Sequence, residues 1–199
     1  MVEFKIFGMW DTKEVSVEDP GLRKYICLNS VLVPRSFGRN ANQRFAKSRL
    51  NIVERLMNKL MVPGHKGKKH FRTSSHMTGK SMNVYNSVRK CFEIIEQNIK
   101  QNPIAVFVKA LENAAPREEI TSIEYGGARY PQAVESAPSR RIDIALRQMT
   151  QGAYSKSFNS KKPIVTCLAE EIIKAYRIDQ TSHAIAKKLE LERQASSSR

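Results

Sequence analysis

PRSFGRNANQRFAKSRLNIVERLMNKLMVPGHKGKKHFR, residues 34–72, sets one short apolar helix between two basic loops. From Asn51 onward, Val53, Leu56, Met57, Leu60 and Met61 recur at i, i+3, i+4, i+7 and i+8, which puts an apolar stripe on one helical face. Asn51 can cap its start, and Pro63 with Gly64 stops it. A helix this short needs burial of its stripe to persist. The loop before it holds Arg35, Arg39, Arg44, Lys47 and Arg49; the loop after it holds Lys66, Lys68, Lys69 and Arg72. Glu54 is the only acid in the stretch.

Residues 20–92 carry 16 Lys and Arg against that one Glu, a balance of +15, which is also the formal net charge of the 199-residue chain. The flanks cancel: 2 basic and 5 acidic residues over 1–19, 16 and 13 over 93–199. The surplus cation is therefore local, as gripping a polyanion on one side requires. With 41% hydrophobic residues the chain can bury a core, and one packed body is expected. No run of eighteen apolar residues and no secretory signal order is present, so the chain reads as soluble and intracellular, with no membrane partner. Cys27, Cys91 and Cys167 are odd in number and far apart, which suits reduced, buried thiols. His65, His70 and His76 share a loop without acids or cysteines and read as polar loop residues rather than a metal site.

Outward from the opening stretch, Phe4, Phe7 and Trp10 recur every three residues around Gly8 and precede an acidic segment broken by Pro20 and Gly21. This is an N-terminal arm, either laid on another surface or folded back as a flap on its own core. Residues 64–79 form a long cationic loop. A second helix begins near Ser81 with Val84, Val88, Cys91, Phe92, Ile95 and Ile99 inward. Asn102 and Pro103 stop it and start a third, with Ile104, Phe107, Val108, Leu111 and Ala115 inward. Over ITSIEYGGARYPQAVE, residues 120–135, the period shifts to two around Gly126-Gly127, the pair a type I′ hairpin demands, placing Glu124 opposite Arg129 and Ile123 opposite Tyr130. No further strand is expected, and a lone ribbon must pack on a helix or project to a partner.

Pro138 starts a fourth helix with Ile142, Ala145, Leu146 and Met149 inward; Arg140 and Arg141 near its N-terminus oppose the helix dipole and call for something negative nearby. Pro163 opens a fifth, with Val165, Leu168, Ala169, Ile172, Ile173 and Tyr176 as its stripe and Glu170, Glu171 and Lys174 outside. Thr181 or Ser182 caps a last one, with Ile185 and Leu189 as its seam and Lys188 spaced to pair with Glu192. The reading is mainly α: a bundle of about six helices with one protruding two-stranded β-hairpin and the extended N-terminal arm.

No nucleotide-loop, dinucleotide, zincin or serine-elbow motif occurs, and the adjacent pairs Glu118-Glu119 and Glu170-Glu171 read as solvated faces, so no enzyme and no cofactor are expected. Basic residues interleaved with rings, Arg44 with Phe45 and His70-Phe71-Arg72, suit phosphates and bases together. Cations gathered in loops fit irregular folded RNA better than a groove-reading helix, the competing class being a helical DNA-binding or chromatin-like basic protein.

The run NIVERLMNKLM, the GKK of residues 67–69, the ITSIEYGGARYPQAVE ribbon and the PSRR of residues 138–141 together resemble the ribosomal protein S seven family of the small subunit, called S five in eukaryotes. FKIFGMW, SFGRNANQRF, NAAPREE and the HAIAKKLELERQASSSR ending resemble its eukaryotic branch. The likeness runs in order along nearly the whole chain. It implies a non-catalytic helical bundle that binds the 3′ major domain of small-subunit rRNA and organises the head, with the ribbon near exit-site tRNA and the mRNA path. Neighbouring head proteins are the implied protein partners, without homo-oligomerisation, in the cytoplasmic ribosome after nucleolar assembly if the source is eukaryotic. Residues 1–33 are then an N-terminal extension and residues 34–199 the rRNA-binding domain. Arg35, Arg39, Arg44, Lys47, Arg49, Lys66, Lys68, Lys69, Arg72, Arg140 and Arg141 are implied to touch rRNA; Tyr125, Gly126, Gly127, Arg129 and Tyr130 are implied to face tRNA or mRNA. Two departures stand out: the family's ribbon usually carries several basic residues where this one has Arg129, and residues 69–81 look longer than the usual loop.

Overall fold

A computed structural model describes residues 4–39, 41–66, 69–70 and 81–199. Among them are seven α-helices: α1 Pro20–Arg23, α2 Ile52–Leu60, α3 Ser81–Ile99, α4 Pro103–Ala114, α5 Pro138–Ser157, α6 Ile164–Tyr176 and α7 His183–Ser196. A 3₁₀ turn, Ala46–Arg49, precedes α2. The sequence-read stripes face inward as expected: Val53, Leu56, Met57 and Leu60 of α2, Val88 and Phe92 of α3, Phe107 of α4 and Leu146 of α5 all join one core. At its centre α6 packs against α3, α4, α5 and α7. Cys91 and Cys167 are buried free thiols, and burial pushes the Cys91 thiol well up.

The N-terminal segment folds back on its own core. Phe7 and Gly8 both take left-handed backbone, at φ 56° and 74°, turning the chain so that Ile6 bridges Trp10. Ile6, Phe7 and Trp10 are buried with Leu22 and Ile26 in the same core as the bundle. Phe7 meets the rings of Tyr85 and Phe92 edge-on, and the Trp10 indole N–H donates to Glu96 at 3.0 Å. The flap alternative thus holds over an arm laid elsewhere, and α1, a four-residue turn capped by Asp19, sits where Pro20 and Gly21 suggested only a break.

The main hairpin joins β3 Glu118–Tyr125 to β4 Ala128–Glu135 in the expected register, Glu124 opposite Arg129 and Ile123 opposite Tyr130. Gly126 and Gly127, at φ 59° and 81°, make the two-residue turn that other residues resist. Its base rests on α7 while its tip stands in solvent, so the lone ribbon takes the alternative of packing on a helix. A second ribbon, β1 His65–Lys66 with β2 Lys69–His70, lies inside the basic loop where no strand was expected; two residues per strand leave no alternation to read.

Two expectations about α6 and α7 are corrected. Glu171 is not on a solvated face but fully buried, accepting from the Ser182 hydroxyl at 2.7 Å, the Ala184 N–H at 3.2 Å and Lys156 at 2.6 Å. It neutralises the positive N-terminus of α7, which is what allows a carboxylate indoors. Leu189 is exposed beyond Ile185, and Lys188 reaches the Asn113 carbonyl at 2.8 Å.

Candidate nucleic-acid interface

The first basic loop is tied at its two ends to α2. Asn51 caps the helix through the Val53 N–H at 2.9 Å while its amide donates to the Asn29 carbonyl at 2.8 Å. Glu54, the lone acid of the cationic window, is buried and accepts from both the N–H and the hydroxyl of Ser36, at 2.8 and 2.6 Å. That carboxylate holds the loop down. Between these ties Arg35, Arg39, Arg44, Lys47 and Arg49 are all exposed. Arg35 stacks over the Phe37 ring at 4.5 Å and Arg44 over Phe45 at 5.2 Å, so these two cations rest on rings, not carboxylates.

A single face of α5 gathers this loop and the next one. Arg140, Asp143, Arg147 and Gln151 are spaced three, four and four residues apart, which lines them along one helical stripe about 16 Å long. Arg140 forms a two-pronged pair with Glu119 of β3, its outer nitrogen at 2.7 Å from the second carboxylate oxygen. Asp143 receives Lys47 and, at 3.3 Å, the buried guanidinium of Arg55, which also donates to the Tyr25 carbonyl. Burial works to raise the Asp143 carboxyl, but Lys47, Arg55 and Lys59 outweigh it and hold it below the usual carboxylate range. Arg147 lines a groove with Lys59 and His65, and Gln151 donates to the His65 carbonyl, fastening the β1–β2 ribbon to α5. Burial, reinforced by neighbouring Lys47, Arg147 and Arg55, pulls the Lys59 ammonium below its ordinary value against the opposing pull of Asp143. Like charges held this close are relieved by an anion.

Of the residues read from sequence, the structure brings Arg35 and Lys47 to one cavity beside α2, with Arg44 on the Phe45 ring at its edge, and sets Arg140 on the α5 stripe. Lys66 and Lys69 are placed through the backbone of the small ribbon; Lys68, Arg72 and His76 lie outside the described residues. Arg141 is different. One position from Arg140, it points inward and is 8% exposed, donating to the Pro116 carbonyl at 3.0 Å and to Asp19 at 2.7 Å. The negative groups that the arginine pair demanded are thus Glu119 and Asp19 of the same chain. Arg147 and Lys59 were missed; the signal for Arg147 was its place opposite the Ile142, Ala145, Leu146 and Met149 stripe.

At the hairpin tip Tyr125 and Tyr130 are exposed and Glu124 pairs with Arg129 at 3.6 Å. Lower down, Glu118 pairs with Arg199. Among the described residues no three His, Cys, Asp or Glu side chains gather as metal ligands would, and no helix is long and apolar enough to cross a membrane.

The family model described as ribosomal protein S7p/S5e matches residues 22–199. Over 198 residues, 100% of each chain to the nearest percent, the sequence is 54% identical to the small ribosomal subunit protein uS7 of Nanoarchaeum equitans. The proteins of that name from Archaeoglobus fulgidus and Methanosphaera stadtmanae are 48% and 47% identical, the alignments covering 99% and 98% of this chain and 96% and 99% of theirs. These three relatives are archaeal, and the matching family description joins the S7p and S5e types.

Proposed function

The chain belongs to the ribosomal protein S7p/S5e family, and on that premise we propose that it grips the 3′ major domain of small-subunit rRNA with the basic face of α2 and α5 and organises the head of the particle. It is a structural, non-enzymatic constituent of the small ribosomal subunit, working in translation within the ribosome beside rRNA and other ribosomal proteins. The observation that carries the finer reading is the α5 stripe, which takes Lys47 of the first basic loop at Asp143 and the His65 carbonyl at the start of the second at Gln151. Phosphates are the matching ligand, because contacts to them position a protein on folded RNA without reading its sequence. Arg35, Arg39, Arg44, Lys47, Arg49, Lys59 and Arg147 form the described part of that grip, with Arg140 at its edge; Lys66, Lys68, Lys69 and Arg72 extend it along the second loop. Arg141 is left out, since its donors are occupied indoors. The β3–β4 tip reaches toward exit-site tRNA and the mRNA path, and the protein acts as a single copy among the head proteins.

Binding of the full chain to a transcript of the 3′ major domain, titrated against salt and against duplex DNA of equal length, tests this. A steep salt dependence with preference for the transcript is expected. Equal or stronger binding to the duplex would favour a chromatin-like protein and end the proposal.

A further inference from the structure

Beside the α5 stripe, the first basic loop and α2 enclose a cavity of about 560 Å³, within the range of about 300–1,000 Å³ usual for small-ligand sites. Phe37 and Phe45 stand at its edge with 69% and 75% of their surface exposed. Both hold left-handed backbone, at φ 55° and 61°, a costly conformation for a bulky residue. Each ring is backed by an arginine, Arg35 or Arg44. Leu50, Met57 and Met61 supply an apolar lining. The acid in that lining is Glu54, whose Oε1 is already engaged by Ser36.

We propose that this cavity takes one unpaired nucleobase of a bound RNA strand, stacked against Phe37 and Phe45, with its flanking phosphates on Arg35 and Arg44. The inference rests on the rRNA-binding reading and specifies how that RNA is held. The distribution of charge sets the orientation of the nucleotide. Arg35 and Lys47 line the mouth and Arg44 stands behind the Phe45 ring, where a backbone passes; a carboxylate in the lining repels phosphate but accepts from the N–H edge of a base. Rings at the rim supply stacking that any base can use. Two aromatic side chains held exposed at strained backbone positions contribute nothing to the core, and base stacking accounts for both.

The test uses the full chain and two fluorescent ten-residue RNA strands of equal charge: decauridylate, and the same strand with abasic central residues. Stacking worth about 1–3 kcal/mol per base corresponds to an affinity ratio of about 5-fold or more in favour of the intact strand. The double variant F37L/F45L should bring that ratio near one while leaving the salt slope in place, and F37Y/F45Y should restore it. Thermal unfolding of F37L/F45L at or above the parent temperature establishes that the loss is not misfolding. A ratio near one in the parent chain overturns the pocket, and so does a ratio that survives F37L/F45L. Either result leaves salt-dependent binding to the 3′-domain transcript intact; failure of the transcript to bind better than duplex DNA would instead strike the underlying reading.

Discussion

The α2–α5 face and the β3–β4 ribbon both carry arginines, yet only one of them has charge to spare. The ribbon's own arginine, Arg129, ends at Glu124, and the ribbon's Glu119 and Glu118 take up Arg140 of α5 and the C-terminal Arg199. Beside α2, Arg35 and Arg44 rest on phenylalanine rings, which orient a guanidinium without neutralising it. Net charge is therefore a poor guide to where a polyanion docks. What counts more is where the described arginines rest on rings rather than on carboxylates.

The sharpest way to break this contrast is to remove charge on one side at a time. The triple variant R35Q/R44Q/R147Q should reduce the slope of log K against log salt by up to about 2.7 on the 3′-domain transcript, about 0.9 per lost phosphate contact. R129Q should leave it unchanged. Equal slopes for the two variants, measured by filter binding across a salt series, would erase the distinction between the regions.

The next largest effect separates neighbours. Arg141→Gln strands Asp19 half indoors and should cost about 3 kcal/mol in urea unfolding, the lower end for breaking a buried pair. Arg140→Gln removes an exposed pair and should cost less than about 1 kcal/mol. A reversed order would mean that the inward arginine is not structural.

Smaller still, Gly127→Ala forces a side chain into φ 81° and should destabilise the ribbon by about 1–2 kcal/mol. Because nothing among the described residues lies within 4 Å of a side chain added at Gly126 or Gly127, faster amide exchange should be confined to β3 and β4, with transcript binding by the basic face preserved. The smallest effect concerns pH. Asp143 is held below its ordinary value, so its contribution to stability is complete above the usual aspartate value of about 3.9 and fades as pH falls through the lower folded value. Asp143→Asn should therefore remove this pH dependence, the stability difference between parent and variant shrinking as pH falls into the acid range, read from thermal unfolding at a series of pH values.

Sequence pattern reached far in this chain where the relevant partners are close along it. Helical stripes were legible because i to i+4 spacing is local, and hairpin register followed from Gly126 and Gly127 alone. The concentration of charge in residues 20–92 was legible by counting. What pattern could not do was tell Arg140 from Arg141, because a helix turns 100° between them and the acid that draws Arg141 inward lies 122 residues away. Glu171 failed for the same reason: its hosts are the start of α7 and a lysine of α5. The α5 stripe went unread because Asp143 and Gln151 mean little until Lys47 and His65 are brought to them.

The folded-back N-terminus has a consequence for how the polypeptide comes into being. Phe7 and Trp10 emerge early in synthesis, but the rings that enclose them, Phe92 above all, are made about 85 residues later. At about 5–20 residues per second that leaves an interval of roughly 4–17 s in which the nascent flap has no home. Two of the bulkiest side chains of this core thus spend their first seconds without the rings that bury them, and the last turns of α3 decide when that interval ends.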